Sequence, residues 1–127
     1  MPIVNNTAQP TYDLPGLKHQ TIAGPEHGMK TLEVWSQTIA PGAATPVHRH
    51  ICEEAIVVLE GSGHCTIDGK DMPFGPNSTL VIPSDAVHQI VNSGATKLVI
   101  IAALGMAPVQ VRHGDGAAMG LPWQQPA

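Results

Sequence analysis

The chain has 127 residues, a formal net charge of −4 and six Lys and Arg, dispersed as Lys18, Lys30, Arg49, Lys70, Lys97 and Arg112. No basic face able to neutralise a nucleic-acid backbone can be assembled from these, so nucleic acid is excluded as a partner. The 13 Gly and 12 Pro against 13% charged residues point to short strands and tight turns, and an all-β fold is expected. One domain over residues 1–127 is large enough to fold without disulfides, so Cys52 and Cys65 are expected as free buried thiols. The longest apolar run, residues 98–104, falls well short of the roughly 20 residues of a membrane-crossing helix, and no membrane association is expected. Residues 1–13 show neither a basic nor an apolar leader region, which leads to the expectation of a cytoplasmic protein.

Residues 1–17 are polar and carry Pro2, Pro10 and Pro15, which suggests an arm that pairs poorly by itself and lies across a neighbour. The first strand is expected over residues 30–39, where Glu33, Trp35, Gln37 and Ile39 share one face and Leu32, Val34, Ser36 and Thr38 the other. A turn at residues 41–43 leads through Thr45 and Pro46 into a strand over residues 48–60. Further strands are expected at residues 64–67, 79–82, 87–91 and 97–104, with a loop over 71–77 and a last strand at 109–111. The tail, residues 112–127, has one large aromatic side chain, Trp123, of a kind that usually docks.

The strand over 48–60 carries the chemistry. A side-chain period of two puts His48, His50, Cys52, Glu54, Ile56 and Val58 on one face and Arg49 and Glu53 on the other. His48, His50 and Glu54 therefore converge, and His88 on a later strand completes a set of three imidazoles and one carboxylate. Such a set suits one borderline divalent ion, Zn²⁺, Fe²⁺, Mn²⁺ or Ni²⁺, and spacing alone does not choose among them. Ile56 and Val58 continue the face as an apolar floor. Four protein ligands leave a coordination position for a small carboxylate or water, with Gln37 and Thr45 as neutral hydrogen-bonding groups nearby. No Ser-His-acid or Cys-His arrangement indicates a covalent nucleophile, and no catalytic residue is assigned.

The spacing Gly42-x5-His48-x-His50-x3-Glu54-x6-Gly61, followed by Pro83-x4-His88-x3-Asn92, resembles the two motifs of the cupin superfamily, whose fold is a double-stranded β-helix or jelly-roll barrel. Asn77 and Asp85 stand where that pattern has glycine, and both tolerate a left-handed backbone. The stretches HQTIAGPEHGMKTLEVWSQTIAPG, TPVHRHICEEAIVVLEGSG and NSTLVIPSDAVHQIVNSG are similar to plant auxin-binding proteins across residues 19–111. That resemblance implies a homodimer and a zinc ion on His48, His50, Glu54 and His88. It further implies that an aromatic carboxylate binds there, with Gln37 and Thr45 at its acid end and Trp35, Pro46 and Trp123 around its ring. Ile56 stands where those proteins place a pocket phenylalanine, so a more aliphatic pocket is expected. The sequon at Asn77 would stay unmodified in a cytoplasm. A small metalloenzyme, a dioxygenase or isomerase acting on a small organic acid, is the alternative that the same ligand set allows.

Overall fold

The computed structural model describes residues 3–124. In chain order the strands are β1 (Tyr12–Leu14), β2 (Leu17–Ala23), β3 (Glu33–Ile39), β4 (His48–Arg49), β5 (Glu54–Glu60), β6 (Gly63–Ile67), β7 (Lys70–Phe74), β8 (Ser78–Ile82), β9 (His88–Val91), β10 (Leu98–Leu104) and β11 (Arg112–His113). Two short 3-10 turns, Asn6–Ala8 and Pro25–His27, are the only helical segments among the described residues. The strands form two antiparallel sheets in the orders β1-β2-β3-β10-β5-β8 and β11-β4-β9-β6-β7. This is the expected all-β jelly roll.

The core lies between the sheets. Ile39, Ile56, Val58, Ile82, Leu98, Ile100 and Leu104 are all but inaccessible, and β3 and β10 bury every second residue. Each such side chain contributes about 1.5 to 3 kcal/mol relative to exposure. Gly61 shows why a motif glycine is needed: its φ is 92°, and an added Cβ would lie 2.6 Å from the Lys97 carbonyl oxygen at the start of β10. Asn77 and Asp85 take φ of 62° and 61°, the left-handed backbone expected where the pattern has glycine. Asp85 also does what glycine could not, receiving Arg49 in a two-pronged ion pair at 3.0 and 2.9 Å.

Four expectations change. The strand over 48–60 is interrupted: β4 ends at Arg49, β5 begins at Glu54, and the two lie in different sheets. Residues 50–53 carry the chain between sheets, held by local bonds such as Asp85 N–H to the His50 carbonyl oxygen at 2.8 Å. The inside-outside parity survives this break, since His50, Cys52, Glu54, Ile56 and Val58 are buried while Ile51, Glu53 and Ala55 are exposed.

The supposed arm folds back on its own chain. β1 and β2 form a hairpin on the edge of the larger sheet, with β2 paired along β3. Its inward residues are Leu17, His19 and Thr21, so an apolar alternation is hidden by two polar members. Residues 71–77 are not a loop throughout, because Lys70–Phe74 pairs with β6 despite Pro73 on the sheet edge. The last strand is not at 109–111: Val109 and Val111 are buried in the core, but the ladder forms one step later, through Arg112 and His113 with β4. Both cysteines are buried and unpaired.

Candidate metal centre

His48 ends up on β4, His50 on the crossing, Glu54 at the start of β5 and His88 at the start of β9. One potential ligand atom from each falls within 4.8 Å of all the others. The backbone orients each imidazole in the same way. His48 Nδ1 lies 2.6 Å from the Pro46 carbonyl oxygen, His50 Nδ1 2.9 Å from that of Cys52, and His88 Nδ1 2.8 Å from that of Ala86. A carbonyl oxygen can only accept, so each Nδ1 carries the proton and each ring, when neutral, presents the lone pair of Nε2. Three lone pairs and a carboxylate facing one another are repulsive unless a cation lies among them. The fit to a divalent ion rests on this tautomer lock, which is how metal-binding histidines are held.

Two further observations agree. His88 Nε2 is buried without a hydrogen-bond partner, although it is 3.3 Å from Glu54 Oε1. His50 Nε2 is 3.0 Å from the same oxygen. Burial opposes charge on His50, but hydrogen bonding to Cys52 and Glu54 outweighs it and pushes the pKa up to about 10. Burial would raise Glu54, yet the hydrogen bond to His50 and the neighbouring His88 bring it down to about 2. A proton on His50 is therefore the competitor that a metal must displace. His48, at the cavity side, is lowered to about 4 by burial and by neighbouring His88.

Beside the cluster lies a cavity of about 270 Å³. It is lined by the polar groups His48, Glu54, His88, Gln37 and Thr45 and by apolar and aromatic side chains that include Leu14, Leu17, Trp35, Pro46, Leu121 and Trp123. Thr45 Oγ1 accepts from the Ile90 N–H at 3.0 Å, which leaves its own proton to donate. Trp35 is held by a bond from its indole N–H to Glu33 at 2.9 Å, and the other Glu33 oxygen accepts from Val109 N–H at 2.8 Å. The segment leading into the tail is thus anchored at Val109 on the carboxylate that fixes Trp35, and the tail brings Trp123 into the cavity wall.

A model of the auxin binding protein family matches residues 1–121. The chain belongs to the auxin-binding protein family. Auxin-binding protein 1 of Arabidopsis thaliana is 43% identical over 124 residues, covering 87% of this chain and 63% of that protein. Auxin-binding protein T85 of Nicotiana tabacum is 44% identical over 134 residues, covering 94% of this chain and 72% of the relative. The chain thus spans between 63% and 72% of the length of these two relatives. An RmlC-like cupin from Shewanella frigidimarina, 21% identical, superposes with a TM-score of 0.73 over 85% of this chain and 93% of that one, a likeness of fold.

Relative to the sequence reading of this family member, the structure brings together His48, His50, Glu54 and His88, and it puts Trp35, Gln37, Thr45, Pro46 and Trp123 in the cavity wall. Ile56 is the exception. It is 1% exposed in the core and absent from that wall, where Glu54 before it on β5 and Ile100 on adjoining β10 stand instead. Ile56 therefore belongs to the core rather than to the pocket. Sequence reasoning missed Leu14 and Leu17 on the first hairpin, Met119 and Leu121 of the tail, and His113, which lines the cavity opposite His48 in the β11-β4 register. The Pro15-Gly16 pair between Leu14 and Leu17 was the one turn signal for the hairpin.

Proposed function

We propose that the chain holds one zinc ion on His48, His50, Glu54 and His88 and captures a small aromatic carboxylate against it. The observation that carries this reading is that one cavity is lined both by the metal-ligating groups His48, Glu54 and His88 with Gln37 and the Thr45 hydroxyl, and by the indoles of Trp35 and Trp123. A bound divalent ion would supply the positive charge on which a carboxylate settles; the protein's own groups orient it. Thr45 donates to the acid, Gln37 sets its approach, and the indoles take the ring by stacking and edge contacts.

Calorimetric titration of zinc-loaded protein with indole-3-acetate and 1-naphthylacetate tests this. Micromolar or tighter binding that disappears in His50→Ala is expected; absent binding, or equal binding by that variant, refutes it. A second reading, a metalloenzyme of dioxygenase or isomerase type, is favoured by His113, an imidazole outside the cluster that faces the same cavity and could move a proton. Elemental analysis of protein from unsupplemented medium separates the two, since iron favours oxygenase chemistry and zinc favours capture.

The assembly we propose is a homodimer. Val57 and Leu59 of β5 and Val81 of β8 expose an apolar outer face, with Val81 71% accessible, and this supports pairing of two copies. Sedimentation of Val81→Asp against wild type tests it, a monomer being the expected product. A cytoplasmic location goes with this reading and is supported by the two free thiols. No described helix is long and apolar enough to cross a membrane.

A further inference from the structure

We infer that His19, which is not part of the cavity wall, is a positioning residue that holds the polar and aromatic ends of the cavity in fixed relation and so sets which carboxylates fit. The inference rests on the carboxylate reading above. His19 sits on β2 and is completely buried. Gln37 Nε2 donates to its Nδ1 at 3.0 Å, and its Nε2 lies 2.8 Å from the Thr21 hydroxyl. A neutral imidazole has one acceptor and one donor, so accepting from Gln37 obliges it to donate to Thr21. Burial keeps it neutral, lowering its pKa to about 3.

The same ring seats the aromatic wall. Trp123 stacks on His19 with centroids 3.4 Å apart and planes 7° from parallel, while Trp35 meets it edge-on at 5.1 Å and 77°. The β2-β3 register makes this possible by setting His19 opposite Gln37 and Thr21 opposite Trp35. Among the described residues, Gln37 has no other side-chain hydrogen bond and the Trp123 indole N–H has no hydrogen-bond partner. One imidazole thus fixes the Gln37 amide by a directional bond and Trp123 by stacking. The spacing between the polar contact and the ring wall is then that of a single side chain, and a ligand must match it.

His19→Phe keeps an aromatic ring for Trp123 and removes both hydrogen bonds. In zinc-loaded protein we expect unchanged metal content, about tenfold weaker binding of 1-naphthylacetate, and no further loss when Gln37→Leu is added. Thr21→Val, which removes only the acceptor of Nε2–H, is expected to weaken binding by a smaller factor. It serves as the deciding variant if His19→Phe does not fold. Nitrogen-15 NMR gives a readout that needs no ligand. His19 is expected as the Nε2–H tautomer, with Gln37 amide protons that exchange slowly in wild type and faster in His19→Phe or Thr21→Val. Wild-type affinity in the folded variants, losses that add with Gln37→Leu, or Gln37 amide exchange unaffected by either substitution would overturn the role. If wild-type protein binds no carboxylate while the Gln37 amide responds as stated, the carboxylate reading fails and the positioning role stands.

Discussion

The two ends of the cavity are held by different means. At the metal end, each imidazole is clamped by a backbone carbonyl two residues away in sequence, so its direction is set by local chain geometry. At the aromatic end, Trp35, His19 and Trp123 come from β3, β2 and the tail, and they hold one another through ring contacts and through the Glu33 carboxylate. A ring whose direction is clamped locally keeps that direction even though the ligands themselves come from strands of both sheets. A wall built from distant segments is lost when any of them moves.

The largest effect expected from this contrast is at the metal end. His88→Ala should lower metal affinity by more than the roughly 10- to 100-fold typical of losing an outer-shell partner, because a ligand itself is gone, while circular dichroism still shows a folded β protein. Metal competition with a chromogenic chelator measures this. Trp123→Ala should do the reverse. Metal binding stays, 1-naphthylacetate binding falls, and stability drops by about 1 to 3 kcal/mol in urea unfolding, as expected when a partly buried indole and its stacking on His19 are removed. Metal loss in Trp123→Ala would show that the two ends are not independent.

Acid should weaken the aromatic end of the chelator-treated protein. His19 has its pKa lowered from 6.5 to about 3, so between those values the unfolded chain binds the extra proton and the folded one does not. Its stabilising contribution is therefore complete above pH 6.5 and declines as pH falls toward 3, with a slope approaching about 1.4 kcal/mol per pH unit. His50 runs the other way: raised to about 10, it stabilises fully below 6.5 and loses that contribution as pH rises through 10. Urea midpoints from pH 4 to pH 10 should trace a dome, and His19→Phe should make only its acid side shallower, the rest of that slope coming from His48. The smallest effect is expected at Asp85→Gly, which keeps the left-handed turn and removes an exposed ion pair with Arg49. Thermal unfolding of that variant should be nearly that of wild type, and a large drop would mean that the ion pair, rather than the backbone turn, holds the crossing.

How far the sequence could be read follows the same division. The all-β class, the inward face of His48, His50 and Glu54, and the turns at Asn77 and Asp85 were legible because they depend on a period of two and on which residues tolerate a positive φ. The break after Arg49 was not, since alternation continues across residues 50–53 even though the ladder does not. Nor was the first hairpin, whose inward His19 and Thr21 are polar and are satisfied by each other and by Gln37 of β3. Ile56 lay on the predicted face, yet the packing of β10 against β5 decided that Ile100 would line the cavity in its place. By itself the sequence determined which side chains face inward near the metal, because neighbours along a strand dictate that. Tertiary structure alone decided that the tail crosses the cavity and that Trp123 rests on His19, because that contact joins residues more than a hundred positions apart and no local preference encodes it.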